Sequence, residues 1–158
     1  MQTADYARQV FVDNAEFRES PRDTEDAVVA RLRRQEALYD REHAFEFLLW
    51  EGALRALLCP SEVMMAQLDR VGSLIGLSHV SVGIIPFRSQ LRQSPGHGFA
   101  IYDDRLVTVE TLNAEMWLDD AVDVALYNKA WLWMADAAVF GRSARRLIAL
   151  AQASLEAP

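Results

Sequence analysis

Few residues in this chain have the types and spacing that chemistry requires. The best placed are Glu51 and Arg55, four positions apart in the stretch EGALR. On a helix that spacing stacks the two side chains on one face, where they either hold a polar ligand or simply pin a short helix as an ion pair. Two apolar runs frame them: Phe45 to Trp50, broken only by Glu46, and Val80 to Ile85, closed by Pro86. Runs of this kind read as strands covered on both faces, and ligands of parallel sheets sit beyond the carboxyl ends of such strands. Those ends are Trp50–Glu51 and Pro86–Phe87. A candidate ligand pocket therefore takes Trp50 and Phe87 as apolar walls and Glu51, Arg55 and His97 as polar contacts. The loop from Arg88 to Gly98 leaves the same edge and is expected to close over it.

Other chemistries find less. His43, His79 and His97 lie far apart, with no Cys-x-x-Cys, His-x-x-x-His or Glu-x-x-His spacing, so no metal ligands and no cofactor are assigned. No Gly-x-Ser-x-Gly elbow occurs, and Cys59, beside Pro60 in an apolar segment, reads as a buried, inert thiol. Gly96-His97-Gly98 is too short for a phosphate cradle. No catalytic residue is assigned, and the chain is read as something other than an enzyme.

The elements that must position these residues follow from periodicity. Met64, Leu68, Val71 and Ile75 share one helical face between the two apolar strands, with Ser61 as a candidate cap and Gly76 as a candidate left-handed terminator. Strand, helix and strand make a β-α-β unit with parallel strands. Upstream, a helix over 4–17 carries Tyr6, Val10 and Phe17 on one face, and Ser20-Pro21 ends it. A second, from Asp23 or Thr24, carries Val28, Leu32, Gln35 and Tyr39. Downstream, Phe99 to Tyr102 and Leu106 to Thr111 form a hairpin through Asp103-Asp104-Arg105, and Glu115 to Leu118 adds an edge strand. A long helix runs from Asp119 or Asp120 to about Phe140, with Val122, Leu126, Trp133, Ala137 and Phe140 on one side. Gly141 breaks it, Ser143 can cap the next, and Leu147, Ile148, Ala151 and Leu155 give the last helix its apolar face. The sum is a single α+β domain over 1–158. Its mixed β-sheet of about five strands, one β-α-β unit and one hairpin included, is covered by helices, two of them C-terminal.

Trp131 and Trp133 are about 200° apart on a helix and cannot both face one core. The side holding Trp131, Leu132 and Met134 is read as a dimer interface, with the final helix as the alternative cover. The chain carries 16 Lys and Arg against 23 Asp and Glu, a formal charge of −7, which repels phosphate backbones. Arg31, Arg33 and Arg34 are the densest basic cluster, but carboxylates surround them. The single cysteine permits no internal disulfide. No run reaches the roughly 18–20 apolar residues of a membrane span, and the N-terminus lacks the pattern of a secretory signal. The expected compartment is the cytoplasm.

Several stretches together resemble a known family. They are Gln2 to Arg8 (QTADYAR), Arg31 to Glu36 (RLRRQE), Glu51 to Arg55 (EGALR), Val63 to Leu68 (VMMAQL), Val80 to Phe87 (VSVGIIPF), Gly98-Phe99 and Val107 to Glu110 (VTVE). In order and spacing the chain resembles the domain of unknown function that follows the helix-turn-helix in actinobacterial XRE-family transcriptional regulators, the antitoxin-like group. The resemblance implies a dimer-forming regulatory domain that senses a small-molecule effector or binds a small partner protein. It implies that DNA is reached only through a helix-turn-helix that this chain lacks. An antitoxin-like module for a small protein is the alternative reading, and a small-molecule-processing enzyme ranks last. Ser81 and Gly83 replace larger residues of the family, which is expected to open space beside that strand.

Overall fold

The computed structural model describes residues 1–20, 23–94 and 96–156. The architecture is α+β, with the chain forming two compact units, Met1–Ile84 with Val139–Pro158, and Ile85–Ala138.

In the first unit, helix α1 (Ala4–Phe17) starts on Thr3, whose hydroxyl accepts from the Tyr6 N–H. It ends in a Schellman closure: Ser20 N–H donates to Ala15 O and Glu19 N–H to Glu16 O, with Glu19 at φ +51°. Pro21, expected to stop this helix, lies outside the described residues. Phe17 is 70 % exposed, so the inward face of α1 is Ala7 and Tyr6 and does not reach its last turn. Helix α2 (Thr24–Gln35) buries Val28, while Leu32 and, in the 3-10 turn that follows, Tyr39 stay exposed.

Strand β1 (Phe45–Trp50), short helix α3 (Glu51–Arg55), helix α4 (Ser61–Leu74) and strand β2 (Val80–Ile85) follow in order. Phe45, the first residue of β1, donates its N–H to His79 O, just before β2. The two strands therefore start side by side and run in the same direction, as a β-α-β unit requires. Met64, Leu68 and Val71 are buried as their spacing predicts, and β2 is buried on both faces. Two expected caps are absent: α4 begins after Pro60 with no side-chain cap, and Gly76 does not take a left-handed conformation. At the far end of β2, Ile84 and Val139 exchange N–H···O bonds of 2.9 and 2.8 Å. Helix α6, whose span is Gly141–Leu155, then lays Ala144, Ile148 and Ala151 into the core with Leu54 and Leu74.

Gly83 opens no space. A Cβ there would stand 2.6 Å from the Phe140 ring and 2.8 Å from Leu48 Cδ2, so the glycine admits the ring against β2.

The second unit is an antiparallel sheet, β3 (Gly98–Tyr102), β4 (Leu106–Glu110) and β5 (Glu115–Leu118), in that spatial order, with helix α5 (Ala121–Asp136). Asp103 and Asp104 sit at φ +51° and +53°, and Arg105 N–H reaches back to Tyr102 O at 3.0 Å. Two successive positive φ values are the mark of a primed turn, whose twist matches the strands it joins. The rows Ile101–Val107–Leu118 and Phe99–Val109–Met116 line one face, and Val124 and Tyr127 pack with them. The five strands anticipated from the sequence are present, but they divide into two small sheets, β1–β2 and β3–β4–β5.

Candidate functional site

Strand β1 hands directly to α3. Trp50 is still extended (φ −68°, ψ 141°), and Glu51 begins the helix. The five-residue helix is too short to persist by itself. It is fixed by burial of Leu54 and by Arg55, which donates from Nε (3.0 Å) and Nη2 (2.9 Å) to one oxygen, Glu51 Oε1. Glu51 is only 8 % exposed, whereas the Arg55 side chain is 33 % exposed. A buried carboxylate held on one oxygen by a partly exposed guanidinium is a strong, charge-assisted contact. It orients Arg55 while leaving part of it accessible to an anionic or carbonyl group.

The other residues expected beside it divide between the two units. Trp50 closes β1 half-buried in the first unit. Phe87 (60 % exposed) and His97 lie in the second. The His97 ring meets Tyr127 Oη through Nε2 at 2.9 Å, and Tyr127 stacks edge-on against Phe99. Among the described residues the connection before β3 meets α5 and its C-terminal end at three points. Ser89 Oγ donates to Ala137 O at 2.8 Å, the Arg92 guanidinium stands 5.9 Å from the Trp133 ring centre, and His97 reaches Tyr127. Within its own unit this loop tracks the helix; Pro95 in it is outside the described residues.

Each histidine has its own partner. His43 Nδ1 meets Asp40 at 3.0 Å, and the Glu42 backbone N–H, then His43, hold the Asp40 carboxyl below its usual range. His79 Nε2–H donates to Leu38 O at 2.9 Å. Among the described residues no three His, Cys, Asp or Glu side chains group to hold a metal, and no helix is long and apolar enough to cross a membrane. Burial first, then Glu62 and Asp13, pushes the Cys59 thiol above its usual range, away from the reactive thiolate.

The dimer residues are placed unevenly. Trp131 meets Phe99 edge-on at 6.5 Å, Met134 is 8 % exposed, and Leu132 alone of the three points outward at 62 %. The stripe expected on the other side of the helix is the outward one: Val122 and Leu126 are 76 % and 61 % exposed. Trp133, in line with them, is shielded by Lys129 (4.9 Å) and Arg92. Helix α5 also stops at Asp136, and Phe140 serves as the N-cap position of α6, without a side-chain cap from Ser143 or any other residue.

Sequence reasoning missed an amide clamp on the N-terminal segment. Gln67, 7 % exposed, accepts from Thr3 N–H (2.8 Å) and donates to Met1 O (2.9 Å), while Gln35 Nε2 donates to Gln2 O at 3.0 Å. A glutamine beside the buried Met64 and Leu68 of α4 was the available signal, since a buried amide needs partners.

These features define a small α+β fold with a buried carboxylate paired to a partly exposed arginine at a strand–helix junction, and an apolar helix face turned outward. The chain belongs to the family described as a domain of unknown function, DUF5753, which matches residues 1–149. No curated protein and no solved structure matches it.

Proposed function

We propose that this domain is the non-catalytic regulatory, dimerisation and effector-sensing part of an XRE-type helix-turn-helix transcriptional regulator acting in the cytoplasm. One observation carries the reading. Helix α5 packs one face on its sheet yet presents Val122, Leu126 and Leu132 to solvent, and apolar patches of this kind mark association surfaces. The run of motifs shared with the C-terminal domains of such regulators supports it, and a formal charge of −7 keeps phosphate contacts off this domain. The effector contact is assigned to Arg55, oriented by Glu51.

The test fuses the chain to a repressor DNA-binding domain that represses only as a dimer. Repression of a reporter is expected; a folded, expressed fusion that leaves the reporter fully active overturns the dimerisation reading. A second reading is favoured by Trp117, 64 % exposed on the edge strand β5. There the domain is an antitoxin-like module that adds a strand of a small partner protein to that edge.

A further inference from the structure

Resting on the dimerisation reading, we propose that α5 pairs antiparallel with α5 of a second copy, about a two-fold axis at Leu126. Val122, Leu126, Lys129 and Trp133 recur at i, i+4, i+7 and i+11, a straight stripe on the solvent side of the helix. Leu132 flanks it. The two halves of the stripe carry charge of opposite sign. Asp119, Asp120 and Asp123 surround its start, while Lys129 and Arg92 converge on Trp133 in its second half, against one carboxylate, Asp136. Among the described residues neither Lys129 nor Arg92 forms an ion pair with a carboxylate.

That arrangement chooses both the occupant and its direction. A parallel pair sets carboxylates against carboxylates. An inverted copy sets the acidic end of each helix against the cationic end of the other, and antiparallel helix dipoles add to the attraction. With the axis at Leu126, Lys129 comes level with the partner's Asp123 along the pair, and the Arg92–Trp133 corner level with the partner's Asp119. Each contact occurs twice, as an isologous interface requires. The two Leu126 side chains meet on the axis, with the two Val122 side chains flanking them. One helix pair falls short of the roughly 800 Å² per partner of a standard interface, so the expected affinity is on the order of micromolar.

Sedimentation equilibrium of the full chain over a concentration series tests this. Wild type is expected to dimerise and Leu126→Glu to be monomeric, and below the wild-type dissociation constant their thermal unfolding is expected to coincide, since Leu126 is already 61 % exposed. Lys129→Glu and Asp123→Lys are each expected to raise the dissociation constant about tenfold or more, and the double variant to restore it, because opposite charges face each other again. A monomeric wild type overturns this proposal together with the dimerisation reading. A wild-type dimer that survives Leu126→Glu overturns only the assignment to α5. Failure of the double variant to restore a dimer that Leu126→Glu abolishes overturns the antiparallel register.

Discussion

Helices α5 and α6 are nearly equal in length, 16 and 15 residues, and both are apolar enough to be core helices, yet only α6 announces which way it faces. Along α6 the charges Arg142, Arg145 and Arg146 mark one side and Ala144, Ile148 and Ala151 the other, and the latter three are at most 4 % exposed. Along α5 the only charged residues are Asp123, Lys129 and Asp136, and Val, Leu, Trp and Met occur on every side. The inward face of α5 is set by tertiary shape, because Tyr127 and Trp131 fit against Phe99 of β3. A helix oriented by its charges can be read from sequence; a helix apolar all round cannot, and the face left over is the one available to a partner.

The sharpest way to break the comparison is a charge at matched positions. Ile148→Asp puts an unpaired carboxylate where the native side chain is 4 % exposed. It is expected to cost about 3–5 kcal/mol, enough to unfold much of a marginally stable domain. Leu126→Glu on α5 is expected to leave unfolding unchanged at concentrations where wild type is also monomeric. Urea titration of the two variants checks the contrast, and equal losses would mean that α5 turns its Val122–Leu126 side inward after all.

The two tryptophans and the leucine between them sharpen the point within α5. Trp131→Ala removes an edge-on partner of Phe99 and is expected to cost about 2 kcal/mol, below the 3–5 of a fully buried tryptophan because the residue is only half-buried. Leu132→Ala, at a position 62 % exposed, is expected to stay within about 0.5 kcal/mol. Denaturant midpoints distinguish the pair, and a larger loss for Leu132 would restore the face first expected from the sequence.

Much of the fold was legible for the same physical reasons. Met64, Leu68 and Val71 had one possible face, β2 was apolar at every position but Ser81 and Gly83, and Asp103-Asp104 tolerated the positive φ of a hairpin turn. The division of five strands into two sheets was not legible, because strand pairing is a long-range property and each strand pattern fits either partner. At the candidate site, Glu51–Arg55 followed from i, i+4 spacing alone. His97 did not, since its contact with Tyr127 joins residues 30 positions apart. Gly83 was misread because a missing side chain looks like space until the ring that fills it, Phe140, is placed.

The smallest expected effects concern how the two helices begin. Helix α5 starts with a side-chain cap: Asp120 Oδ1 accepts from Val122 N–H at 2.8 Å. Helix α6 has none, and its start depends on Gly141 at φ +56°, a conformation that costs an L-residue about 1–2 kcal/mol. No neighbour lies within 4 Å of a Cβ built on Gly141, so Gly141→Ala isolates that backbone term from any clash. It is expected to destabilise by about 1–2 kcal/mol, and Asp120→Ala by about 1 kcal/mol. Amide hydrogen exchange localises each loss, since Asp120→Ala should raise exchange in the first turn of α5 and leave α6 protected. Gly141→Ala should do the reverse. Loss of protection in both helices from either variant would mean that their starts melt as one unit, and the contrast between a side-chain cap and a backbone cap would fall.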